Sequence, residues 1–182
     1  YSTTATKGNL NNHIGVPLTL LSMTPATEIG IVEMGANHHQ EIAFLADLAK
    51  PTVGYITNFG KAHLEGFGSI EGVVTAKSEL YAHLQAHQKT VLVNPADAIQ
   101  VEKTKDMKTV FFEPSIALLK TNPLVSLTYE NYAINTQLIG GYNYANIAAA
   151  ISLGSYYKIA VAQIKKAIEG YAPANNRSQV VT

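Results

Sequence analysis

Two short apolar segments of the sequence are each followed by a polar side chain. Glu33 directly follows Ile31-Val32, and Asn58 follows the run at residues 52–57. Both runs predict buried strands, and ligands of parallel sheets bind at the carboxyl ends of the strands. We therefore expect Glu33 and Asn58 to face the same edge of a sheet. A carboxylate there is a suitable magnesium ligand, because Mg²⁺ prefers oxygen donors, although a helix N-cap or an ordinary surface acid would have the same position.

Lys77 has an unusual set of neighbours on its predicted helix. The side chains three and four residues away on either side are all apolar or aromatic: Val73, Val74, Leu80 and Tyr81. Such neighbours place Lys77 on the core side of the helix. Burial disfavours the ammonium form, and a neutral lysine amine can take up CO₂ to form a carbamate, whose oxygens are ligands for magnesium. The alternative is a lysine whose stem packs while its charged end reaches water.

A histidine, His63, lies just beyond the second predicted strand. A histidine in such a loop is a metal ligand, a phosphate contact or a hydrogen-bonded loop residue, and the position alone leaves these alternatives open. The adjacent His38-His39 pair does not have the spacing of a zinc site.

Two asparagines and an arginine predict contacts with a nucleotide. Asn143 and Asn146 are three residues apart at the start of a long helix, so they share a face. Two amides on one face can recognise a base or a ribose through donor–acceptor pairs, and helix capping is the alternative, above all for Asn143. Arg177 lies between the last helix and a final strand, where its guanidinium is either a phosphate contact or an exposed loop group.

The composition excludes several classes of protein. The 182 residues are 47% hydrophobic and 14% charged, with a formal net charge of zero and no cysteine. A disulfide scaffold and a thiolate zinc site are therefore excluded, and no basic surface for nucleic acid is indicated. The sequence has no apolar run of the roughly 18 residues that a membrane span needs and no signal peptide at its start. We expect a cytoplasmic protein that binds neither nucleic acid nor membrane.

Strand and helix patterns alternate along most of the chain, which predicts an α/β fold. The expected architecture is a doubly wound, mostly parallel sheet flanked by helices, with an antiparallel hairpin near residues 124–139. Strands are predicted at 28–35, 52–57, 90–95 and 109–112. Helices are predicted at 14–21, with Asn11 or Asn12 as its cap, and at 41–50, 70–84, 142–156 and 161–169.

Together, in this order, the candidate residues resemble the Mur ligase superfamily, and specifically its central, P-loop NTPase-like, ATP-binding domain. The resemblance spans nearly the whole chain, and the stretch from Thr6 to Leu20 is its most specific part. The other stretches that carry it are Glu33–Asn37, Ile56–Asn58, Ala62–Glu65, Ala76–Leu80, Gly141–Ala150 and Asn175–Gln179.

The resemblance implies ATP-dependent amide formation in peptidoglycan synthesis. Within the superfamily it is strongest to members that add D-alanyl-D-alanine to UDP-N-acetylmuramoyl-tripeptide through an acyl phosphate, with ATP and Mg²⁺ as cofactors. By similarity, Glu33 would bind one magnesium ion, and the catalytic pair His63 and Lys77, the latter as a carbamate, would serve a second.

The same resemblance implies the nucleotide contacts. Asn143 and Asn146 would contact adenosine, Arg177 would contact the phosphates, and Asn12 would line the nucleotide site.

The sequence also departs from the family pattern. It contains no Gly-Lys-Thr phosphate loop, which we expect just before Tyr1, and it begins without Met. We therefore expect residues 1–182 to be a central domain truncated at both ends, without the UDP-binding and C-terminal domains and inactive alone. The turn before Glu41 also has Gln40 where related proteins often carry glycine.

Three other classes of protein are alternatives to a Mur ligase of this kind. A sister ligase, such as the folylpolyglutamate type, is disfavoured by the stretch Asn9–Leu20. A Rossmann dehydrogenase would need a Gly-x-Gly-x-x-Gly turn after a strand, and the sequence has none. A non-catalytic α/β interaction module gives no reason for Lys77 on an apolar helix face.

Overall fold

The structure is a computed structural model that describes residues 1–60 and 64–173, except for the side chains of residues 64 and 65. The chain divides into two compact units. The first comprises Tyr1–Val91 and Glu102–Thr109, and the second comprises Leu92–Val101 and the chain from Val110 onward.

Strands and helices alternate, as the sequence pattern predicts. The strands are β1 (Thr3–Ala5), β2 (Ile29–Ile31), β3 (Val53–Tyr55), β4 (Thr90–Val93), β5 (Lys108–Phe111), β6 (Ala117–Lys120), β7 (Leu124–Tyr129) and β8 (Tyr132–Ile139). The helices are α1 (Gly15–Leu21), α2 (Glu41–Ala49), α3 (Leu64–Phe67), α4 (Ile70–Ala86), α5 (Ala98–Lys103), α6 (Asn143–Tyr156) and α7 (Val161–Gly170). In the part of the chain that is described, no helix is both long and apolar enough to cross a membrane.

The strands form two parallel sheets and one antiparallel sheet, which confirms the predicted α/β class. Strands β1 and β2 pair in parallel, with Thr3 opposite Ile29 and Ala5 opposite Ile31. A second sheet has the order β3–β4–β5, and the antiparallel sheet has the order β6–β7–β8. Glu33 follows the carboxyl end of β2, and Asn58 follows the carboxyl end of β3. These strands belong to different sheets, so the expectation that the two residues face the same edge of one sheet is not confirmed.

The predicted hairpin is present as β7 and β8, which pair from Tyr129 opposite Tyr132 outward. Its turn contains Glu130 in the left-handed region, at φ 53°. One face of the hairpin is apolar, so it packs against α6 and α7 to form a core of buried side chains. Those side chains are Val125, Leu127, Ile134, Ile147, Ile151 and Ile164.

Helix α7 also lies along the backbone of strand β8. The Glu169 carboxylate accepts a hydrogen bond from the Asn135 N–H at 3.0 Å. The Lys165 ammonium donates to the Ala133 carbonyl at 2.5 Å and pairs with Glu169 at 2.6 Å. Side chains of one helix therefore occupy backbone groups along the outer edge of β8.

Helix α4 is the longest helix of the described chain, and it carries Lys77. The hydroxyl of Ser69, the residue just before the helix, accepts a hydrogen bond from the Gly72 N–H at 3.1 Å and so caps the N-terminus of α4. The helix packs against α2 and β3 through its apolar face, where Val73, Ala76, Leu80 and Leu84 are buried. Lys77 lies within this face, next to the end of β3.

The residues that flank helix α2 on either side have a left-handed backbone conformation, which costs energy for a residue with a side chain. Gln40 has φ 70° and Lys50 has φ 47°. The absence of glycine before Glu41 therefore leaves a strained residue at the start of α2, because only glycine adopts this conformation without a Cβ penalty.

We expect Gln40→Gly to stabilise the chain by about 1 kcal/mol, because it removes this penalty at an exposed position. Urea denaturation measures the change. Gln40→Ala is the control, because it shortens the side chain but keeps the Cβ, and it should leave the midpoint nearly unchanged. An equal gain for both variants would show that the long glutamine side chain, and not the backbone conformation, is the source of strain.

Candidate functional site

The Glu33 carboxylate is held in place by the loop that follows β1. Its Oε1 accepts a hydrogen bond from the Asn11 Nδ2 at 2.8 Å, and its backbone N–H donates to the Thr6 hydroxyl at 2.9 Å. Among the described residues, Oε2 of Glu33 accepts no hydrogen bond, and the residue is exposed. One carboxylate oxygen is thus oriented by the protein while the other faces solvent.

Asn11 contacts this strand end a second time, through its backbone. Its carbonyl accepts the Gly35 N–H at 2.7 Å. A Cβ at position 35 would lie 2.8 Å from the Asn11 Nδ2, which is too close for a real contact. Glycine at 35 therefore allows Asn11 to approach the strand end and reach Glu33.

The Lys77 amine lies at the carboxyl end of β3. Its Nζ donates to the Asn58 backbone carbonyl at 2.7 Å. The side chain is half-buried, and its neighbours Val73, Leu80 and Tyr81 are between 0% and 8% exposed. The apolar neighbours seen in the sequence thus do surround Lys77, and its amine is directed to a strand end by a specific bond.

Burial lowers the pKa of the Lys77 ammonium from its ordinary value, because partial desolvation disfavours the charged form. A lowered pKa raises the fraction of free amine near neutral pH. The free amine is the form that reacts with CO₂, so this environment is chemically consistent with a carbamate.

The loop between Glu33 and α2 is held by two carboxylates. Glu41 accepts the N–H groups of Asn37 at 2.7 Å and His38 at 3.2 Å, and these bonds, Asn37 first, hold its pKa below the usual value. Glu79 of α4 accepts the N–H groups of Gln40 at 2.7 Å and Ala43 at 3.0 Å. The start of α2 is therefore fixed from its own first turn and from α4.

Asn12 holds the turn that leads into helix α1, whose N-cap position is Ile14 and not the predicted Asn11 or Asn12. The Asn12 Oδ1 accepts the N–H groups of Ile14 at 3.1 Å and Gly15 at 2.9 Å. This use of the side-chain oxygen is structural, and a contact between Asn12 and a nucleotide stays a prediction.

Asn143 and Asn146 lie together at the start of α6, as their spacing predicts. The Asn146 Nδ2 donates to the Asn143 Oδ1 at 3.2 Å, and the Asn143 Nδ2 donates to the Ile139 carbonyl at 2.9 Å. Asn143 is only 7% exposed, so its amide joins the end of β8 to the helix. Asn146 is exposed and is better placed than Asn143 to contact a ligand.

Two predicted site residues, His63 and Arg177, lie outside the described residues. Within the described part of the chain, no group of three or more histidine, aspartate or glutamate side chains has a metal-binding arrangement. The candidate site in the first unit therefore consists, among the described residues, of Glu33, oriented by Asn11, and of Lys77 at the Asn58 carbonyl. The asparagines of α6 belong to the second unit.

Two residues with a clear part in this site were not singled out from the sequence. The sequence predicts Asn11 only as a helix cap, whereas in the structure it orients Glu33. The sequence assigns Glu79 no role outside the family resemblance, whereas in the structure it fixes the start of α2. The available signal was their position, because both lie within the stretches that carry the family resemblance.

The chain belongs to the Mur ligase middle domain family, whose model matches residues 1–154. One relative is the UDP-N-acetylmuramoyl-tripeptide--D-alanyl-D-alanine ligase of Synechocystis. It is 38% identical over 152 residues, which are 81% of this chain and 33% of the relative.

Solved structures agree with this assignment. A crystal structure of MurF from Acinetobacter baumannii superposes with a TM-score of 0.85 and 29% identity, covering 100% of this chain and 42% of that one. MurF ligase from Thermotoga maritima, in complex with ADP, matches with a TM-score of 0.76 and 24% identity, covering 95% and 43%, and shares the fold. The chain thus spans between a third and somewhat over two fifths of the length of these proteins.

Proposed function

We propose that this chain is the ATP-binding region of a longer ligase that joins D-alanyl-D-alanine to UDP-N-acetylmuramoyl-tripeptide. The observation that carries the proposal is the half-buried Lys77 amine, bonded to the Asn58 carbonyl at a strand end, in a chain of the Mur ligase family. The proposed substrates are those of the related ligase from Synechocystis. Because ATP and nucleotide-linked cell-wall precursors are cytoplasmic metabolites, the proposed location is the cytoplasm.

The proposed reaction proceeds in two steps. A carboxylate oxygen of the tripeptide attacks the γ-phosphorus of ATP, the bond to the β-phosphate oxygen breaks, and an acyl phosphate and ADP form. The amine of D-alanyl-D-alanine then attacks the acyl carbon, inorganic phosphate leaves with the bonding electron pair, and the amine loses a proton. Negative charge accumulates where the phosphates and the carboxylate meet, so positive charge must be supplied there.

The residues at the two strand ends fit magnesium. Glu33 offers an oriented carboxylate with one oxygen toward solvent, and Lys77, once carbamylated, would offer a second set of oxygens, with His63 as a further proposed ligand. Oxygen donors are the preferred ligands of this ion. When bound, magnesium would offset the charge of the phosphates; the part of the chain is to orient the carboxylate and to hold the lysine amine at Asn58.

For the nucleotide, we propose that Asn146 contacts adenosine through its exposed amide, with Asn143 holding Asn146 in orientation through their hydrogen bond. Arg177 is proposed to contact the phosphates, and Asn12 to line the nucleotide site.

Glu33→Gln tests the magnesium role. In the full-length ligase we expect about a 10²-fold loss of kcat/KM at fixed Mg²⁺, because a neutral amide is a much weaker ligand and transition-state charge is left less compensated. ADP formation with UDP-N-acetylmuramoyl-tripeptide and D-alanyl-D-alanine measures it, and excess Mg²⁺ should restore part of the rate.

Glu28→Gln is the matched control, because Glu28 lies just before the amino end of the same strand and accepts the Ser2 N–H. It should retain wild-type kinetics. Wild-type kinetics in Glu33→Gln would remove Glu33 from the metal site. If the wild-type ligase formed product only with an amine substrate other than D-alanyl-D-alanine, the chain would belong to a sister ligase and the proposed substrate would be wrong.

A further inference from the structure

Helix α4 carries a second functional group two residues beyond Lys77 that the proposed chemistry does not use. Both carboxylate oxygens of Glu79 accept backbone hydrogen bonds, Oε1 from Gln40 at 2.7 Å and Oε2 from Ala43 at 3.0 Å. The side chain is only 16% exposed. Bonds from N–H groups to a charged, largely buried acceptor are among the stronger hydrogen bonds in proteins.

The donors lie at the first turn of α2, where backbone N–H groups have no partner within the helix. A carboxylate at this end also meets the favourable end of the helix dipole. Because the carboxylate belongs to α4, its hydrogen bonds both cap α2 and connect the start of α2 to α4.

The loop that leads into α2 begins at Glu33. Its last residues are bound to Glu41 through the N–H groups of Asn37 and His38, and His39 lies beside Glu79, with its Nδ1 4.0 Å from Oε1. The loop is short and its last residues are held at the start of α2, so we expect a displacement at Gln40 to shift the strand end that carries Glu33.

Lys77 and Glu79 are two residues apart, and side chains at that spacing point to different sides of a helix. Lys77 reaches the Asn58 carbonyl at the end of β3, whereas Glu79 reaches α2. Glu79 thus does not share a ligand with Lys77 and acts through the backbone instead.

From these contacts we infer that Glu79 is a positioning residue that fixes the Glu33 loop relative to the helix that carries Lys77. The inference rests on the proposed function, because Glu79 would set the distance between Glu33 and Lys77, the two side chains proposed to bind magnesium. Outer residues that orient metal ligands typically change metal affinity by about 10- to 100-fold when they are mutated.

The test is Glu79→Gln in the full-length ligase. A glutamine keeps one acceptor oxygen but presents an amide N–H₂ where the second N–H donor lies, so one of the two bonds is lost. We expect the Mg²⁺ concentration at half-maximal rate to rise about tenfold, with the KM for D-alanyl-D-alanine within twofold of wild type. Hydrogen exchange in residues 37–45 should accelerate.

Glu71→Gln is the matched control, because Glu71 is an exposed acid on the same helix, in its first turn. It should change neither the Mg²⁺ dependence nor exchange in residues 37–45. Faster exchange in Glu79→Gln with an unchanged Mg²⁺ dependence would overturn the inference and leave Glu79 as a helix cap only.

Binding of Mn²⁺ in the presence of ATP, followed by electron paramagnetic resonance, separates this inference from the proposed function. If the wild-type protein binds Mn²⁺ but makes no product, the proposed function fails, and a tenfold weaker Mn²⁺ affinity in Glu79→Gln still supports the positioning role. Equal Mn²⁺ affinity in the two proteins would refute that role whether or not the ligase is active.

Discussion

Lys77→Ala is expected to lower the kcat of the full-length ligase about 10³-fold, the size of loss seen when a group that stabilises transition-state charge is removed. The wild-type amine is half-buried and bonded to the Asn58 carbonyl, and burial lowers its pKa. Truncation to alanine removes the amine and with it any carbamate oxygens. ADP and phosphate formation under saturating substrates measures the effect.

Chemical rescue distinguishes the carbamate from a simple lysine contact. A short-chain carboxylic acid such as acetate offers carboxylate oxygens in place of those of the carbamate, so part of the activity of Lys77→Ala should return with increasing acetate. Lys89→Ala, at a lysine just beyond the same helix, should behave as wild type with and without acetate. Full activity in Lys77→Ala would instead leave a lysine whose stem packs against Leu80 and Tyr81 without a catalytic part.

Gly15→Ala is expected to produce the largest loss of stability among the substitutions considered. A Cβ at position 15 would overlap the backbone of Leu10, including its Cα, carbonyl carbon and oxygen. Backbone atoms cannot move aside as a flexible side chain does, so the loop at Leu10 must shift. We expect about 3 kcal/mol of destabilisation, at the upper end of typical overpacking costs, measured by urea denaturation.

The same shift has a predicted local consequence. The Gly15 N–H is bonded to Asn12, and Asn11 holds Glu33, so the displaced loop should also loosen the Glu33 carboxylate. Gly170→Ala is the control, because a Cβ there meets no atom within 4 Å and lies at the end of α7; its stability should stay within about 0.5 kcal/mol of wild type. A Gly15→Ala variant as stable as Gly170→Ala would mean that the Leu10 loop rearranges at little cost.

The sequence was sufficient for the long, periodic elements. The predicted helices at 41–50, 70–84, 142–156 and 161–169 and the hairpin at 124–139 all have counterparts in the structure, because each buries a repeated apolar face. The short elements β1, α3, α5 and β6 were not predicted. Their three to six residues are too few for a periodic pattern, and their conformation is set by pairing and packing with other parts of the chain.

For the candidate site, the sequence identified side chains with chemistry but not the groups that hold them. Lys77 was recognisable because its apolar neighbours contradict its charge. Glu79 and Asn11 were not, since Glu79 binds backbone N–H groups, which every residue except proline carries, and the partner of Asn11 lies 22 residues away. Such contacts depend on how the chain is folded and leave no local pattern.

The contacts between α7 and β8 set a limit on how the antiparallel sheet can associate. Glu169 and Lys165 occupy the Asn135 N–H and the Ala133 carbonyl on the outer side of that strand, where an incoming extended peptide would otherwise form its ladder. A second molecule therefore cannot extend the sheet on this side by strand addition unless α7 first detaches. Helix α7 thus also blocks edge-to-edge self-association through β8, a common route to aggregation for open sheets.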